Sequence, residues 1–323
     1  MTKPKIIVTR KWPAPVEDRL KALYDVQLNE TDIPMTADEL KAALQTADAL
    51  LPTVTDPITA DILSVPNKRA KIIGNFGVGY NNIDIAAAKR EGLVVTNTPH
   101  VLTDCTADIA MLLLLMSARR ASEGDGLVRN KQWQGWAPTH MLGQKVTGKT
   151  LGLIGFGRIA QAMARKAHYG FGMKIICTAP HTPASDVLQE FQATYYATAD
   201  EVLAESDFIS LHCPGGADTK HLINEQRLKL MKPSAHLINT ARGDVVDSKA
   251  LIKALKERWI AGAGLDVFEG EPNIDPGFLE LDNVALLPHL GSATEETRVA
   301  MGNRVLDNIA AFFAGKEPGD RVA

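Results

Sequence analysis

Thr150-Leu151-Gly152-Leu153-Ile154-Gly155-Phe156-Gly157-Arg158-Ile159-Ala160 stands near the middle of the chain, and its reading decides the fold. The apolar run Thr150 to Ile154 predicts a strand. Ile159 to Tyr169 predicts a helix, and two glycines fill the turn between them. Strand, glycine turn and helix form the context that a dinucleotide fingerprint needs. Gly155 permits the tight turn, and Gly157 lets the backbone approach a pyrophosphate at the positive end of the helix. Ala160 stands where a third glycine is usual. Taken alone, the same glycines are equally those of an ordinary strand-to-helix turn.

The segments on either side repeat the alternation. Upstream, strands are expected at Lys5 to Thr9, Ala49 to Pro52, Ile72 to Asn75 and Val94 to Asn97, with helices at Pro15 to Tyr24 and Ala37 to Thr46. A long helix is expected from about Thr103, with Thr103 or Asp104 as its cap, to about Ala121. A Gly- and Trp-containing loop, Trp133 to Gly148, precedes the fingerprint. Beyond it, strands are expected at Lys174 to Thr178, Phe208 to Leu211, His236 to Asn239, Gly262 to Asp266 and Val284 to Leu287, then a final helix from Glu295 to Phe313. Strands alternating with helices imply α/β architecture with parallel sheets covered on both faces. A fingerprint in mid-chain and a lone late helix imply two doubly wound domains, one inserted in the other. We expect a dinucleotide-binding Rossmann domain at 100–290, and a flavodoxin-like substrate domain made of 1–99 plus 291–323.

Composition fits two cores: 323 residues with 45% hydrophobic content. The 35 basic and 38 acidic residues are interspersed and leave a net charge of -3, so neither nucleic acid nor a membrane surface is an expected partner. The most apolar run, Ile109 to Met116, is eight residues long and too short to span a bilayer. Met1 to Val8 enters a strand with no preceding apolar segment, so no secretory signal is expected. Cys105, Cys177 and Cys213 are far apart with no CxxC pair, which argues against a disulfide framework or a bound metal and for a reducing cytoplasm.

Six segments together become recognisable. Gly74 to Asp84, Leu151 to Ala160, Leu211-His212-Cys213-Pro214, Asn239-Thr240-Ala241-Arg242-Gly243, Gly264 to Pro272, and Pro288-His289-Leu290-Gly291-Ser292-Ala293-Thr294 resemble, in order, the motifs of the D-2-hydroxyacid dehydrogenase family. The resemblance covers nearly the whole chain, and is strongest to its glyoxylate and hydroxypyruvate reductases. It implies reduction of a small 2-oxo acid to the D-2-hydroxy acid by hydride transfer from NAD(P)H.

Such chemistry needs a hydride donor, a proton donor and a group that holds the carboxylate. His289 is the candidate proton donor, since imidazole exchanges a proton near neutral pH. By the resemblance Glu271, 18 residues earlier, contacts that ring, and a neighbouring carboxylate favours the charged imidazole. Arg242 is expected to bind the substrate carboxylate with its planar fork. Backbone N–H groups of Val78 and Gly79 are expected to cradle the same carboxylate. Leu51 is expected to wall the substrate side chain; the resemblance implies that Trp136 reaches the substrate of a dimer partner. The resemblance places Thr106, Gly155, Gly157, Arg158, Ile159, Ala179, His181, His212, Cys213, Pro214, Thr219, Thr240, Ala241, Asp266, His289 and Gly291 along the cofactor. Asp266 is expected to orient the nicotinamide carboxamide or, alternatively, to cap a loop.

One segment departs from the NAD pattern. Where an acid usually meets the ribose hydroxyls, Met173 to Ser185 contains no Asp or Glu, and Ala179 occupies the expected position. NADP(H) is therefore the expected preference, with NAD(H) also accepted; Thr178, His181, Thr182, Ser185 and Arg158 offer the available donors. Trp133 and Trp136 beside a long apolar helix imply a homodimer. Connections at Thr98 to Val101 and Leu290 to Ser292 are expected to hinge the two domains. Two alternatives stay open at this point: a dehydrogenase for another D-2-hydroxy acid, and a dinucleotide-sensing, protein-binding corepressor.

Overall fold

The computed structural model describes residues 3–323; Met1 and Thr2, where the reading of the N-terminus began, lie outside the described residues. The chain divides into two compact units, Met1–Leu102 with Ala293–Ala323, and Thr103–Ser292.

The first unit is a parallel sheet of β1 (Lys5–Val8), β2 (Asp25–Gln27), β3 (Ala49–Leu51), β4 (Ile72–Gly74) and β5 (Val94–Thr96) in the order β2-β1-β3-β4-β5. That is the flavodoxin-like order, with its reversal between β1 and β3. The inner strands β1, β3 and β4 are short and apolar on both faces because helices cover both sides. Thr36 caps the helix Ala37–Thr46 in a full capping box with Glu39. The helix Glu295–Phe313 returns to this unit: Val305 and Ile309 fill the space that a side chain at Gly74 would occupy. Arg304 of that helix forks onto the Asp320 carboxylate at 2.6 and 2.7 Å.

The second unit is a seven-stranded parallel sheet of β6 (Thr150–Ile154), β7 (Lys174–Thr178), β8 (Thr194–Tyr195), β9 (Phe208–Leu211), β10 (His236–Asn239), β11 (Gly262–Leu265) and β12 (Val284–Leu286). Its order, β12-β11-β10-β9-β6-β7-β8, reverses between β6 and β9, as in a Rossmann fold. Period-two alternation sorts the side chains between two cores. Leu151, Leu153, Phe208 and Ile238 pack under the helices Thr103–Ala118 and Arg158–Phe171. Ile154, Ile209, Leu211 and Leu237 pack under Ala199–Glu205 and Ser248–Lys256. Both sheets and both faces are thus of the expected doubly wound class.

Several elements differ from the sequence expectation. The long helix stops at Ala118, not Ala121: Arg120 takes a left-handed backbone at φ 53° and a new helix runs Ala121–Arg129. Arg120 secures that break by a bidentate pair with Glu123 at 2.9 and 2.7 Å. Thr103 and Asp104 lie inside the first turn of Thr103–Ala118 rather than before it. The edge strands β2 and β8, and the short helices Ala60–Leu63 and Ile85–Arg90, were not expected.

Candidate active site

At the reversal point of the second sheet, β6 runs into Gly155, whose φ of 87° suits only glycine. A Cβ there would lie 2.8 Å from both the Cys213 nitrogen and the His212 carbonyl carbon, so the turn crosses directly over the end of β9. Gly157 is exposed and precedes the fourteen-residue helix Arg158–Phe171, with Arg158 and Ile159 in its first turn and Ala160 buried beneath. This leaves backbone and small residues at a helix N-terminus, the arrangement that accepts a pyrophosphate.

At the end of β7, Thr178 is buried, Ala179 is half-buried and its carbonyl accepts the Tyr195 hydroxyl at 3.3 Å, and His181 is exposed. The His212 side chain points inward. Its Nε2 meets Ser210 Oγ at 2.9 Å and Met163 Sδ at 3.3 Å, and burial pushes its pKa down to about 3, so the ring is neutral packing under the fingerprint helix. Burial likewise pushes the Cys213 thiol up to about 11. Thr219 uses its hydroxyl to close its own loop on the Pro214 carbonyl at 2.7 Å.

The charged part of the site gathers where β10, β11 and β12 end. Asn239, the last residue of β10, is buried and clips the next turn: its Oδ1 accepts from Ala241 N–H at 3.0 Å and its Nδ2 donates to the Arg242 carbonyl at 2.9 Å. The partly buried Arg242 guanidinium is pulled below its usual pKa by burial, against the opposing charges of Glu271 and Asp244. Gly243 follows, and a Cβ there would sit 1.9 Å from the Phe268 carbonyl carbon, so only glycine lets the Arg242 turn lie on the Phe268–Glu269 backbone.

Glu271 Oε2 lies 2.8 Å from His289 Nδ1, and Glu271 Oε1 accepts Phe268 N–H at 2.7 Å. Burial raises the Glu271 carboxyl, but the His289 bond and charge, the Phe268 amide and Arg242 together bring it below the ordinary range. His289 itself sits at φ 57°. Asp266, just past β11 and buried, holds that turn: Oδ1 accepts Leu290 N–H at 2.6 Å and Oδ2 accepts Gly291 N–H at 2.8 Å. Burial raises its pKa, and the two amides and His289 oppose the rise. Asp266 therefore orders the His289 loop, the capping role that is the second of its two expected ones. Thr106 is buried beside Gly291. A nicotinamide dinucleotide fits these residues. Gly155 and Gly157 open a path for its phosphates, and the Thr240 hydroxyl at the end of β10 is buried with no hydrogen-bond partner among the described residues.

In the first unit, Asn75 Nδ2 donates to the Gly79 carbonyl at 2.9 Å, Asn97 Nδ2 donates to Val78 at 2.8 Å, and Thr98 N–H donates to Gly77 at 3.0 Å. With those three carbonyls turned inward, trans geometry turns the N–H groups of Val78 and Gly79 the other way. Leu51 is the last residue of β3 and is wholly buried against the Gly74 backbone. Trp136 is 83% exposed in the loop before β6.

Residue spacing alone does not single out Asn239, the Phe268 amide or Asn75. An Asn two residues before a turn amide is a readable turn signal; the other two act through chain folding and leave no local mark.

A profile described as "D-isomer specific 2-hydroxyacid dehydrogenase, NAD binding domain" matches residues 111–291. A glyoxylate reductase from Thermococcus litoralis is 48% identical over 99% of this chain and 97% of its own. A glycerate dehydrogenase from Hyphomicrobium methylovorum is 39% identical over 98% of both chains. The solved NADPH-dependent glyoxylate/hydroxypyruvate reductase from Sinorhizobium meliloti, in complex with NADP and malonate, superposes with a TM-score of 0.88 at 35% identity, covering 100% of this chain and 97% of that one.

Proposed function

The chain belongs to the D-isomer-specific 2-hydroxyacid dehydrogenases, and we propose that within that family it reduces glyoxylate or hydroxypyruvate, with NADPH preferred over NADH. The coarser activity, NAD(P)H-dependent reduction of a 2-oxo acid, follows from the family and the full-length relatives. The observation that carries the reading is the Glu271–His289 pair at 2.8 Å, with Arg242 acting electrostatically on the same carboxylate.

Bound nicotinamide dinucleotide supplies the hydride. Gly155, Gly157, Ile159, Thr240 and Ala241 would hold it, mainly through backbone. Arg242 would bind the substrate carboxylate and polarise the adjacent C=O, since a guanidinium presents paired donors that match a carboxylate. Glu271 commits the His289 Nδ1, which leaves Nε2 to hand its proton to the oxygen on C2. As the ring gives up that proton, Glu271 keeps the tautomer in which Nδ1 carries the hydrogen. In the oxidising direction the same ring takes the proton back.

The NADPH preference rests on the end of β7. From Met173 to Ser185 there is no carboxylate to repel a 2′-phosphate. The exposed Trp136, Trp133, Val128 and Leu142 support self-association as a homodimer. The three cysteines are free, which suits a reducing cytoplasm. No helix among the described residues is long and apolar enough to cross a membrane.

Initial rates with glyoxylate and hydroxypyruvate, each with NADPH and NADH, test the proposal by absorbance of the reduced nicotinamide. Faster oxidation of NADPH with either acid supports it. A strong NADH preference removes the cofactor argument, and no turnover with either acid removes the substrate assignment.

A further inference from the structure

A second imidazole–carboxylate pair lies in the same unit, outside the reacting set. His221 Nε2 is 2.7 Å from Glu269 Oε1, and Glu269 Oε2 accepts Ser248 N–H at 3.3 Å. Glu269 thus ties three segments together. One is its own loop, two residues before Glu271. The second is the start of the helix Ser248–Lys256. The third is the segment 221–223, which runs alongside the Arg242 turn. There His221, at φ 50°, donates its N–H to the Asp244 carbonyl at 2.7 Å, and Ile223 N–H donates to Val245 at 3.0 Å.

The pair bears on the site through two short links. Phe268 N–H, one residue before Glu269, is the donor that holds Glu271 Oε1. The Phe268–Glu269 peptide is also the surface on which Gly243 rests, and Gly243 follows Arg242. A shift of the backbone at Phe268, which carries that N–H on one side and the Phe268–Glu269 peptide on the other, would therefore release the Glu271 carboxylate and unseat the Arg242 turn together. The loop holding it contains Gly270 at φ 74°, whose missing side chain leaves the backbone freer than any other residue would. Fastening the Glu269 side chain at both oxygens removes that freedom.

We propose that His221 and Glu269 are positioning residues: they clamp the Phe268–Glu269 peptide so that Glu271 stays on His289 and Arg242 stays seated. This rests on the reading of Glu271 and His289 as the proton-donating pair. The groups that face the members are few. His221 faces Glu269; His289 and Arg242 face Glu271; Glu271 and Asp244 face Arg242; Asp266 bears on both Glu271 and His289.

The test compares Glu269→Gln, His221→Ala and His221→Gln with Glu271→Gln, in the full chain, with glyoxylate and NADPH. Glu269→Gln and His221→Ala are expected to lower kcat about tenfold, with the cofactor Kd unchanged, and to move the alkaline fall of the reduction rate toward lower pH, as Glu271→Gln does. His221→Gln keeps a donor for Glu269 and should restore most of the rate. The double variant Glu269→Gln/Glu271→Gln should lose clearly less than the product of the two single losses, because part of the Glu269 effect passes through Glu271 and only the remainder through the Arg242 turn. NMR titration of the His289 ring gives a readout that does not depend on turnover. Folded Glu269→Gln and His221→Ala proteins with parental kcat, pH profile and ring titration overturn the clamp, and so do multiplied losses in the double variant. If Glu269→Gln is too unstable to assay, His221→Ala against His221→Gln decides the same question. If Glu271→Gln itself leaves rate and profile unchanged, the proton-donor reading is what has failed.

Discussion

The two halves of the second sheet solve different problems with different materials. Where β6, β7 and β9 end, the site is backbone: Gly155 crossing over His212–Cys213, an open helix N-terminus, and a neutral, buried His212 underneath. Where β10, β11 and β12 end, the site is charge: Arg242, whose guanidinium donates to the Ala241 carbonyl at 2.7 Å, and Asp266, Glu271 and His289, oriented by amides or by one another. A backbone site tolerates little added volume and does not depend on a titrating side chain of its own. A side-chain site tolerates volume better but depends on each proton and each orienting bond.

Substitutions should separate the halves. The largest effect belongs to the charged half: His289→Ala should lower kcat for reduction by about 10²–10⁴-fold, the usual worth of a general acid. The dissociation constant for NADPH, read by fluorescence, should change little. Parental turnover would reassign the proton donor. Next comes the backbone half. Gly155→Ala places a methyl group 2.8 Å from the Cys213 nitrogen at a φ of 87°. We expect a loss of about 1–3 kcal/mol in stability and a weakened cofactor Kd, with kcat at saturating cofactor much less affected. A kcat loss without a Kd change would erase the division between the halves.

A smaller effect sharpens the backbone half. Ala179→Asp supplies the charge that β7 lacks, and a like charge facing a phosphate costs several kcal/mol when close. The ratio of kcat/KM for NADPH to that for NADH should fall by about tenfold or more. An unchanged ratio would mean that the end of β7 does not meet the 2′-phosphate.

The smallest effect lies below the sheet. Burial pushes His236 from 6.5 to about 4, with its Nδ1 2.7 Å from Ser117 Oγ. Its folded pKa is lowered, so from pH 6.5 down to about 4 the unfolded chain binds the proton and the folded chain does not. Stability should therefore fall as pH drops through that window, by roughly 1–3 kcal/mol from this ring. Denaturant midpoints of His236→Gln should show a shallower acid loss over the same window; parallel curves would contradict the burial argument.

The same division explains what could be read from the chain alone. β6, β7, β9 and β10 and the final helix appear at the expected bounds because each is a sharp apolar run or an amphipathic stretch closed by Gly, Asp or Thr. The fingerprint was readable for the same reason, since all its parts lie within eleven residues. β2 carries Asp25-Val26-Gln27 on a sheet edge and β8 is two residues long, so neither has an apolar signature. The break at Arg120 has no glycine or proline to announce it; it exists because a pair with Glu123 stabilises an unusual backbone. In the charged half, residue types were suggested by family motifs, but their orientation comes from Asn239, Phe268 and Asp266, up to 25 residues from the groups they hold. Leu51 and His212 show what position along a strand leaves open: each follows or ends a strand, where ligands bind, and packing turns both side chains inward.

The central claim is that Glu271 and His289 work as one proton-donating unit. The most direct measurement is the pH dependence of kcat/KM for glyoxylate reduction with NADPH, for the parent and for Glu271→Gln. Glu271 is held below the ordinary carboxylate range and is ionised throughout the working range of pH. Removing its charge makes the imidazolium easier to deprotonate. The account predicts a lower plateau and an alkaline fall that begins at lower pH in Glu271→Gln. Superimposable profiles of equal height would contradict it.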